Sequence, residues 1–364
     1  MSQRFPHLPL DKARPNPERF IDVMLGRAHP ERPPLVEYLV DSALAQPITT
    51  ELLGRTWVTP DGNDRASVDA FLDNTIAFWR GMGYDFVRYE EGLPFVEASV
   101  AGEDHTAVGG QRHWRDMYHG AVTTWDEFER YPWPTPCDSQ LANTAYLAEH
   151  LPDDMGLISC HGGGIYEHLA AIMSYETLCL ALYDQPDLVE AVAQRIGEAM
   201  LGYYQRLLQL DRLIAIFPGD DMGFRTSTLL PPAALRKLTL PWHKRFAQLA
   251  HDRGLPYFVH SCGNILAIMD DLIDDVHIDA KHSFENAILP IDEFQAIYGK
   301  RIGVLGGIDI DILGRGSEDD VRAEVRRVIA ACHPRGRFAL GSGSSVASYI
   351  PVNNYLAMLD EAQR

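Results

Sequence analysis

Short apolar runs alternate with longer amphipathic stretches along most of the chain, and from residue 156 onward the alternation is regular. The runs GLISC (156–160), LIAIF (213–217), PYFVH (256–260), IDAKH (278–282), RIGVLGG (301–307) and RFALG (337–341) are short, with Gly, Asp, Ser or Asn close behind each. Near-continuous apolar runs of this length read as strands covered on both faces. Between them, stretches such as PDLVEAVAQRIGEAMLGYYQRLLQL and EDDVRAEVRRVIAACH repeat apolar residues at helical spacing and open on Pro or an acidic residue. Strand followed by helix, repeated, implies parallel pairing.

Two earlier runs, PPLVEYL (33–39) and DFVRYEE (85–91), flank the helical pattern VDAFLDNTIAFWRGMG and bring the strand count to eight. Eight βα units predict an α/β fold, a (β/α)8 TIM barrel, with residues 1–364 as a single domain. A barrel takes about 250 residues. The surplus goes to an N-terminal extension over the first 30 residues and to a long loop after the second strand, residues 93–137, rich in Gly, His, Trp and Pro. A loop of that length in a compact domain is expected to be functional or a lid. The alternative, an open doubly wound sheet, needs a Gly-rich dinucleotide turn after its first strand, and the sequence has none.

Composition narrows the partners. A hydrophobic fraction of 46% with 10% aromatic residues is that of a folded domain with a substantial core. The 51 acidic against 32 basic side chains give a net charge of -19, which repels phosphate backbones and anionic lipid, so neither nucleic acid nor membrane is expected as a partner. No apolar run approaches the roughly 20 residues of a membrane span. The opening MSQRFPHLPLDKARPNPERF lacks the apolar core of a secretory signal, so a cytoplasmic location is expected. Five cysteines without framework spacing are read as free thiols.

In a barrel the active site lies at the carboxyl ends of the strands. That rule selects Glu37, Glu90 and Glu91, then Cys160 and His161 in SCHGGG, Asp220 and Asp221 in FPGDDMG, His260 and Cys262, His282 and Glu285, Asp309, and Ser342, Ser344 and Ser345. His260 and Cys262 are two apart, so on a continuing strand both side chains fall on one face, where one ion could meet both. Imidazole with thiolate favours zinc; the competing reading is a buried thiol beside a hydrogen-bonded histidine. Asp220 or Asp221 is expected to complete a metal site or act as a base, the alternative being a helix cap or turn. His282 and Glu285 are expected to line the mouth and orient substrate, unless Glu285 pairs with Lys281. Cys160 and His161 are adjacent and so point to opposite faces, which disfavours a nucleophile–base dyad. Gly162 and Gly163 are expected to let the backbone beside His161 approach a bound cofactor.

ERFIDVMLGRAHPERPP, IYEHLAAIMSYETLCLALYDQPDLVEAVAQRIGEAM, GDDMGF, PYFVHSCGN and GSGSSVASYIPVNNYLAM together resemble the uroporphyrinogen decarboxylase superfamily, which holds porphyrinogen decarboxylases and cobalamin-dependent methyltransferases. The resemblance covers most of the chain and implies a TIM barrel. The methyltransferase branch carries a His-x-Cys zinc pair, which maps onto His260 and Cys262. Its third ligand is a Cys in a Gly-Cys-Gly context near the C-terminus, which here reads Gly341-Ser342-Gly343. Serine is a poor zinc ligand, so the third donor is left to Asp220, Asp221, Glu285 or a water, and Ser342 joins His161, Gly162 and Gly163 as a cofactor contact. The decarboxylases carry an arginine-rich segment after the first strand's prolines, where this chain has LVEYLVDSALAQ.

The resemblance therefore implies methyl transfer between a small molecule and a corrinoid, assisted by zinc. With no Asp-x-His-x-x-Gly segment in the chain, the corrinoid is expected on a separate partner protein. A decarboxylase of another carboxylated substrate and a non-catalytic tetrapyrrole- or corrinoid-binding barrel are the alternatives. The apolar stretch ILAIMDDLI is read as barrel packing in preference to a homo-oligomer surface.

Overall fold

The computed structural model describes residues 4–10, 13–103, 111–115 and 118–364. Nine strands are present among them: β1 (Phe86–Glu91), β2 (Ser99–Glu103), β3 (Gln111–Arg115), β4 (Gly156–His161), β5 (Leu213–Ile216), β6 (Phe258–His260), β7 (Ala280–His282), β8 (Gly303–Ile308) and β9 (Phe338–Ser342). β1, β4 and β5 form one parallel ladder, and β6 to β9 form another. Parallel bridges from Ile216 to Tyr257 and from Gly219 to His260 join β5 to β6. The first predicted strand pairs with the β9 side through bridges at Leu35–Leu340 and Val40–Val346.

These pairings arrange eight parallel strands as a TIM barrel, with helices between successive strands. The last seam, between residues 35–40 and β1, is spanned by side chains: the Arg88 guanidinium lies 3.7 Å from the centre of the Tyr38 ring, and the Tyr38 hydroxyl lies 3.3 Å from a Glu90 carboxylate oxygen. Every position of β4, β8 and β9 is buried. Barrel strands are covered inside by opposing strands and outside by helices, which is why they read as unbroken apolar runs.

Three expectations change in detail. Residues 33–39 make isolated bridges and not a regular strand, since Pro33 and Pro34 have no N–H to give a ladder. The 93–137 loop is not structureless: it holds the antiparallel hairpin of β2 and β3 and a helix, Trp125–Arg130, opened by a Thr124–Glu127 capping box. The rest of that expectation, residues 104–110 and 116–117, lies outside the described residues. The long helical pattern after β4 divides at Ser174, whose φ of +63° ends one helix and whose hydroxyl caps the next at the Thr177 N–H.

The N-terminal extension, apart from residues 1–3 and 11–12 outside the described set, closes the bottom of the barrel. Helix Pro17–Met24 buries Phe20, Val23 and Met24, and the Phe20 ring sits 4.7 Å from Phe86 and 6.3 Å from Phe258, the residues that open β1 and β6. With that end plugged, the carboxyl-terminal mouth is where polar side chains gather. In ILAIMDDLI, residues Ile265, Ile268, Met269 and Leu272 are buried, which makes it packing. Among the described residues no helix is long and apolar enough to cross a membrane.

Candidate functional site

His260 ends β6, Cys262 follows as the chain turns out of the strand, and Asp221 comes from the loop after β5. Their donor atoms converge: His260 Nε2 is 3.3 Å from Cys262 Sγ and 3.5 Å from Asp221 Oδ1, and all three donors lie within 4.8 Å of one another. Donors held tetrahedrally at zinc bond lengths of about 2.0–2.3 Å are themselves about 3.5 Å apart. Nitrogen, sulfur and carboxylate oxygen in this spacing fit a zinc ion. The Cys262 N–H donates to Asp221 Oδ1 at 2.8 Å, which pins the carboxylate beside the sulfur. Two hydroxyls, Ser283 at 3.4 Å and Ser344 at 3.5 Å, lie against the same sulfur.

A supporting layer holds the imidazole. His260 Nδ1 and His282 Nδ1 are 2.7 Å apart, so one proton is shared between them. If His260 gives it, its Nε2 keeps a lone pair turned toward Cys262 and Asp221, the tautomer a metal requires. Burial drives the His260 pKa well below its ordinary value. Burial, with the Lys281 charge, takes His282 down to about 3. Both rings are therefore neutral at physiological pH. The Tyr38 ring stacks on His260 at 4.1 Å and 15°. Burial, and then the neighbouring Asp221 carboxylate, push the Cys262 thiol up to about 11, so a bound cation is what would make it a thiolate near neutral pH.

His282 is fully buried and meets His260, which places it behind the donor set. Glu285 accepts the Gly263 N–H at 3.3 Å and so holds the loop leaving Cys262. Lys281 is buried with its ammonium 4.3 Å over the Phe284 ring and bonded to the Ser283 carbonyl, so it takes a backbone partner where an ion pair with Glu285 was the sequence alternative. Burial lowers its pKa to about 8.

Other sequence-selected residues lie elsewhere. Asp220 is fully buried and accepts the Tyr166 and Glu167 N–H groups at 3.2 and 3.1 Å and His243 Nε2 at 2.9 Å. It ties the start of helix Ile165–Met173 to the barrel and does not face the mouth. Gly164 makes that possible, because a Cβ there would sit 2.1 Å from the Asp220 carboxyl carbon. His161 is buried too: its Nε2 accepts the Leu93 N–H at 2.9 Å, and its Nδ1 reaches the Gly163 carbonyl at 3.3 Å. The glycines of SCHGGG admit the protein's own groups: Gly162 donates to the Glu91 carbonyl, and Gly163, at φ +76°, leaves 2.9 Å between an imagined Cβ and the His168 ring.

Ser342 is occupied as well. It bonds both oxygens of the fully buried Glu37 and the Ser344 carbonyl. Burial raises the Glu37 pKa to about 8, so below that pH its carboxyl O–H can donate a hydrogen bond to the Ser342 oxygen while the Ser342 hydroxyl donates onward to the Ser344 carbonyl. Ser344, two residues on, is the serine of this segment that touches Cys262. Tyr38 and Ser283 were not singled out from the sequence. Nothing in their local pattern marks them, since each matters through a ring or hydroxyl presented to another strand.

No curated protein sequence matches the chain. Its fold is similar to that of a methyltransferase from Methanosarcina mazei, with a TM-score of 0.67 and 16% identity over 94% of this chain and 97% of that one. It is also similar to a B12-independent methionine synthase from Shewanella sp. W3-18-1 in complex with selenomethionine, with a TM-score of 0.54 and 11% identity over 91% and 94% of the two chains. At these identities the likeness establishes the TIM-barrel fold. The family described as Uroporphyrinogen decarboxylase (URO-D) matches residues 73–364, from within the helix before β1 to the last residue, and the chain therefore belongs to the uroporphyrinogen decarboxylase family.

Proposed function

We propose that the chain is a zinc-assisted methyltransferase that moves a methyl group between a small molecule and a corrinoid carried by a separate protein. The observation that carries this reading is the convergence of His260, Cys262 and Asp221 at the barrel mouth with tetrahedral spacing. Three protein donors are the pattern of catalytic zinc sites, which keep one position for water or substrate. Zinc bound there would supply the positive charge that keeps a coordinated sulfur or oxygen deprotonated at neutral pH.

The protein's own residues would prepare that position. Asp221, pinned by the Cys262 N–H, sets the carboxylate in place. His282 holds the shared proton on His260 Nδ1 and so keeps Nε2 free. Ser283 and Ser344 direct their hydroxyls at the Cys262 sulfur. Tyr38, stacked on His260, keeps water from its ring face. Both similar structures, a methyltransferase and a methionine synthase, are methyl-transfer enzymes, which supports the reading over decarboxylation.

The test is elemental analysis of the purified protein followed by incubation with methylcobalamin and either a small thiol or tetrahydrofolate, with loss of the cobalt–carbon absorbance as the signal. About one zinc per chain with corrinoid demethylation is the expected result. A metal-free protein that releases CO2 from a porphyrinogen would overturn it in favour of a decarboxylase. Tight corrinoid binding with neither metal nor turnover would favour a binding barrel.

A further inference from the structure

The Arg88 guanidinium and the His260 ring lie 3.7 and 4.1 Å from the centre of the Tyr38 ring, so they occupy its two opposite faces. Arg88 also lines a cavity of about 170 Å3 beside the seam between residues 35–40 and β1. Trp57, Phe71, Phe78 and Trp79 line it, together with Arg88 and Thr49. An apolar cavity of roughly 150 Å3 accommodates a benzene ring. The space suits one aromatic ring.

Two of its lining residues are polar, buried and incompletely bonded. Arg88 is 2% exposed and Thr49 is 1% exposed. Among the described residues the side-chain hydrogen bonds of Arg88 leave from Nη2, to Glu90 at 2.5 Å, the Cys160 sulfur at 3.2 Å and the Phe217 carbonyl at 3.4 Å. Nε and Nη1 have no partner among the described residues, and neither does the Thr49 hydroxyl. A guanidinium has one N–H on Nε and two on Nη1, so three unpaired donors and an unpaired hydroxyl belong to two residues that line the same space. Buried donors in folded proteins are nearly always satisfied, and their absence of partners here points to an acceptor that comes from outside the chain.

We propose that this cavity binds a single-ring aromatic carboxylate, its ring against the aromatic wall and its carboxylate on Arg88 and Thr49. A carboxylate matches the donors better than an ether or phenol, because two oxygens offer about four lone-pair sites where one oxygen offers two. The cavity shares no residue with the His260, Cys262 and Asp221 group, so this site stands independently of the methyl-transfer reading.

The experiment is a calorimetric titration of the full chain with benzoate, and with toluene as the ring lacking the carboxylate. Saturable benzoate binding, weaker by about tenfold or more in Arg88→Lys, is the expected result. Because Arg88 also holds Glu90, Ala45→Phe provides a second variant that fills the cavity from helix Ser42–Pro47 while leaving Arg88 in place; it should abolish binding with its thermal melt intact. Cys262→Ala should bind benzoate as the wild type does, which separates this site from the metal group. No saturable heat with millimolar benzoate, binding unchanged in Ala45→Phe, or toluene binding as tightly as benzoate would each overturn the proposal.

Discussion

Two strand ends in this barrel carry a histidine and a cysteine, and they use them in opposite ways. At the end of β4, Cys160 and His161 are neighbours: the sulfur turns to Arg88 and Glu90, while the imidazole turns to the Leu93 N–H and the Gly163 carbonyl. At the end of β6 one residue separates His260 from Cys262, and the two donor atoms meet at 3.3 Å. Side-chain alternation along extended chain accounts for the difference. A pair of ligand-type residues is worth little as a motif until its spacing puts both on one side.

The comparison breaks most visibly on metal content. Cys262→Ala should lose the bound zinc, since removing a direct donor must cost more than the roughly 10–100-fold that an outer-layer change costs. Cys160→Ala should keep zinc at the wild-type level, its sulfur turning to Arg88 and Glu90 and not to the three metal donors. Equal metal in both variants, measured by elemental analysis, would erase the distinction. The two aspartates after β5 sharpen it next. Asp220→Ala strips two helix N–H groups and a buried His243 of their acceptor, and should lower stability to urea by about 3–5 kcal/mol. Asp221→Ala, at a half-buried position, should cost much less stability and should lose zinc.

The sequence marks the strands and the spacing at His260 and Cys262 because both depend on local periodicity. It cannot separate Asp220 from Asp221. Their difference arises only when helix Ile165–Met173 docks on the barrel and claims the first carboxylate. Ser342 and Ser344 are likewise equivalent on paper. Glu37, three hundred residues earlier in the chain, takes the former, and the latter is left beside Cys262. The hairpin of β2 and β3 escaped for another reason: its strands lie outside the barrel wall and lack the apolar runs by which the other strands are recognised.

A smaller effect distinguishes the layers behind the two sites. His282→Gln removes the ring that meets His260 Nδ1, and zinc affinity should fall by about 10–100-fold, as for other partners that orient a ligating histidine. His161→Gln should leave zinc affinity unchanged in a competition assay with a chelator. An equal fall in both would mean that overall loosening, not orientation of His260, governs the affinity.

The smallest effect is a pH dependence belonging to the β4 end. Burial holds the His161 pKa down at about 4, against an ordinary value of 6.5. On acidification the unfolded chain therefore takes up this proton first, and the folded state pays for the delay. The contribution of His161 is complete above pH 6.5 and is lost as the pH falls toward 4. Between pH 7.5 and 5.5 the loss should be about 1.4 kcal/mol, one pK unit's worth. Other buried groups complicate the raw curve; Glu37, with its pKa raised to about 8, contributes in the opposite direction. Those groups are common to the wild type and His161→Gln, so the difference between their urea-unfolding free energies at the two pH values isolates this histidine. The gap should narrow by about 1.4 kcal/mol at the lower pH. Parallel curves would show that His161 is free to protonate in the folded state, and its place as a structural acceptor for the Leu93 N–H would have to be given up.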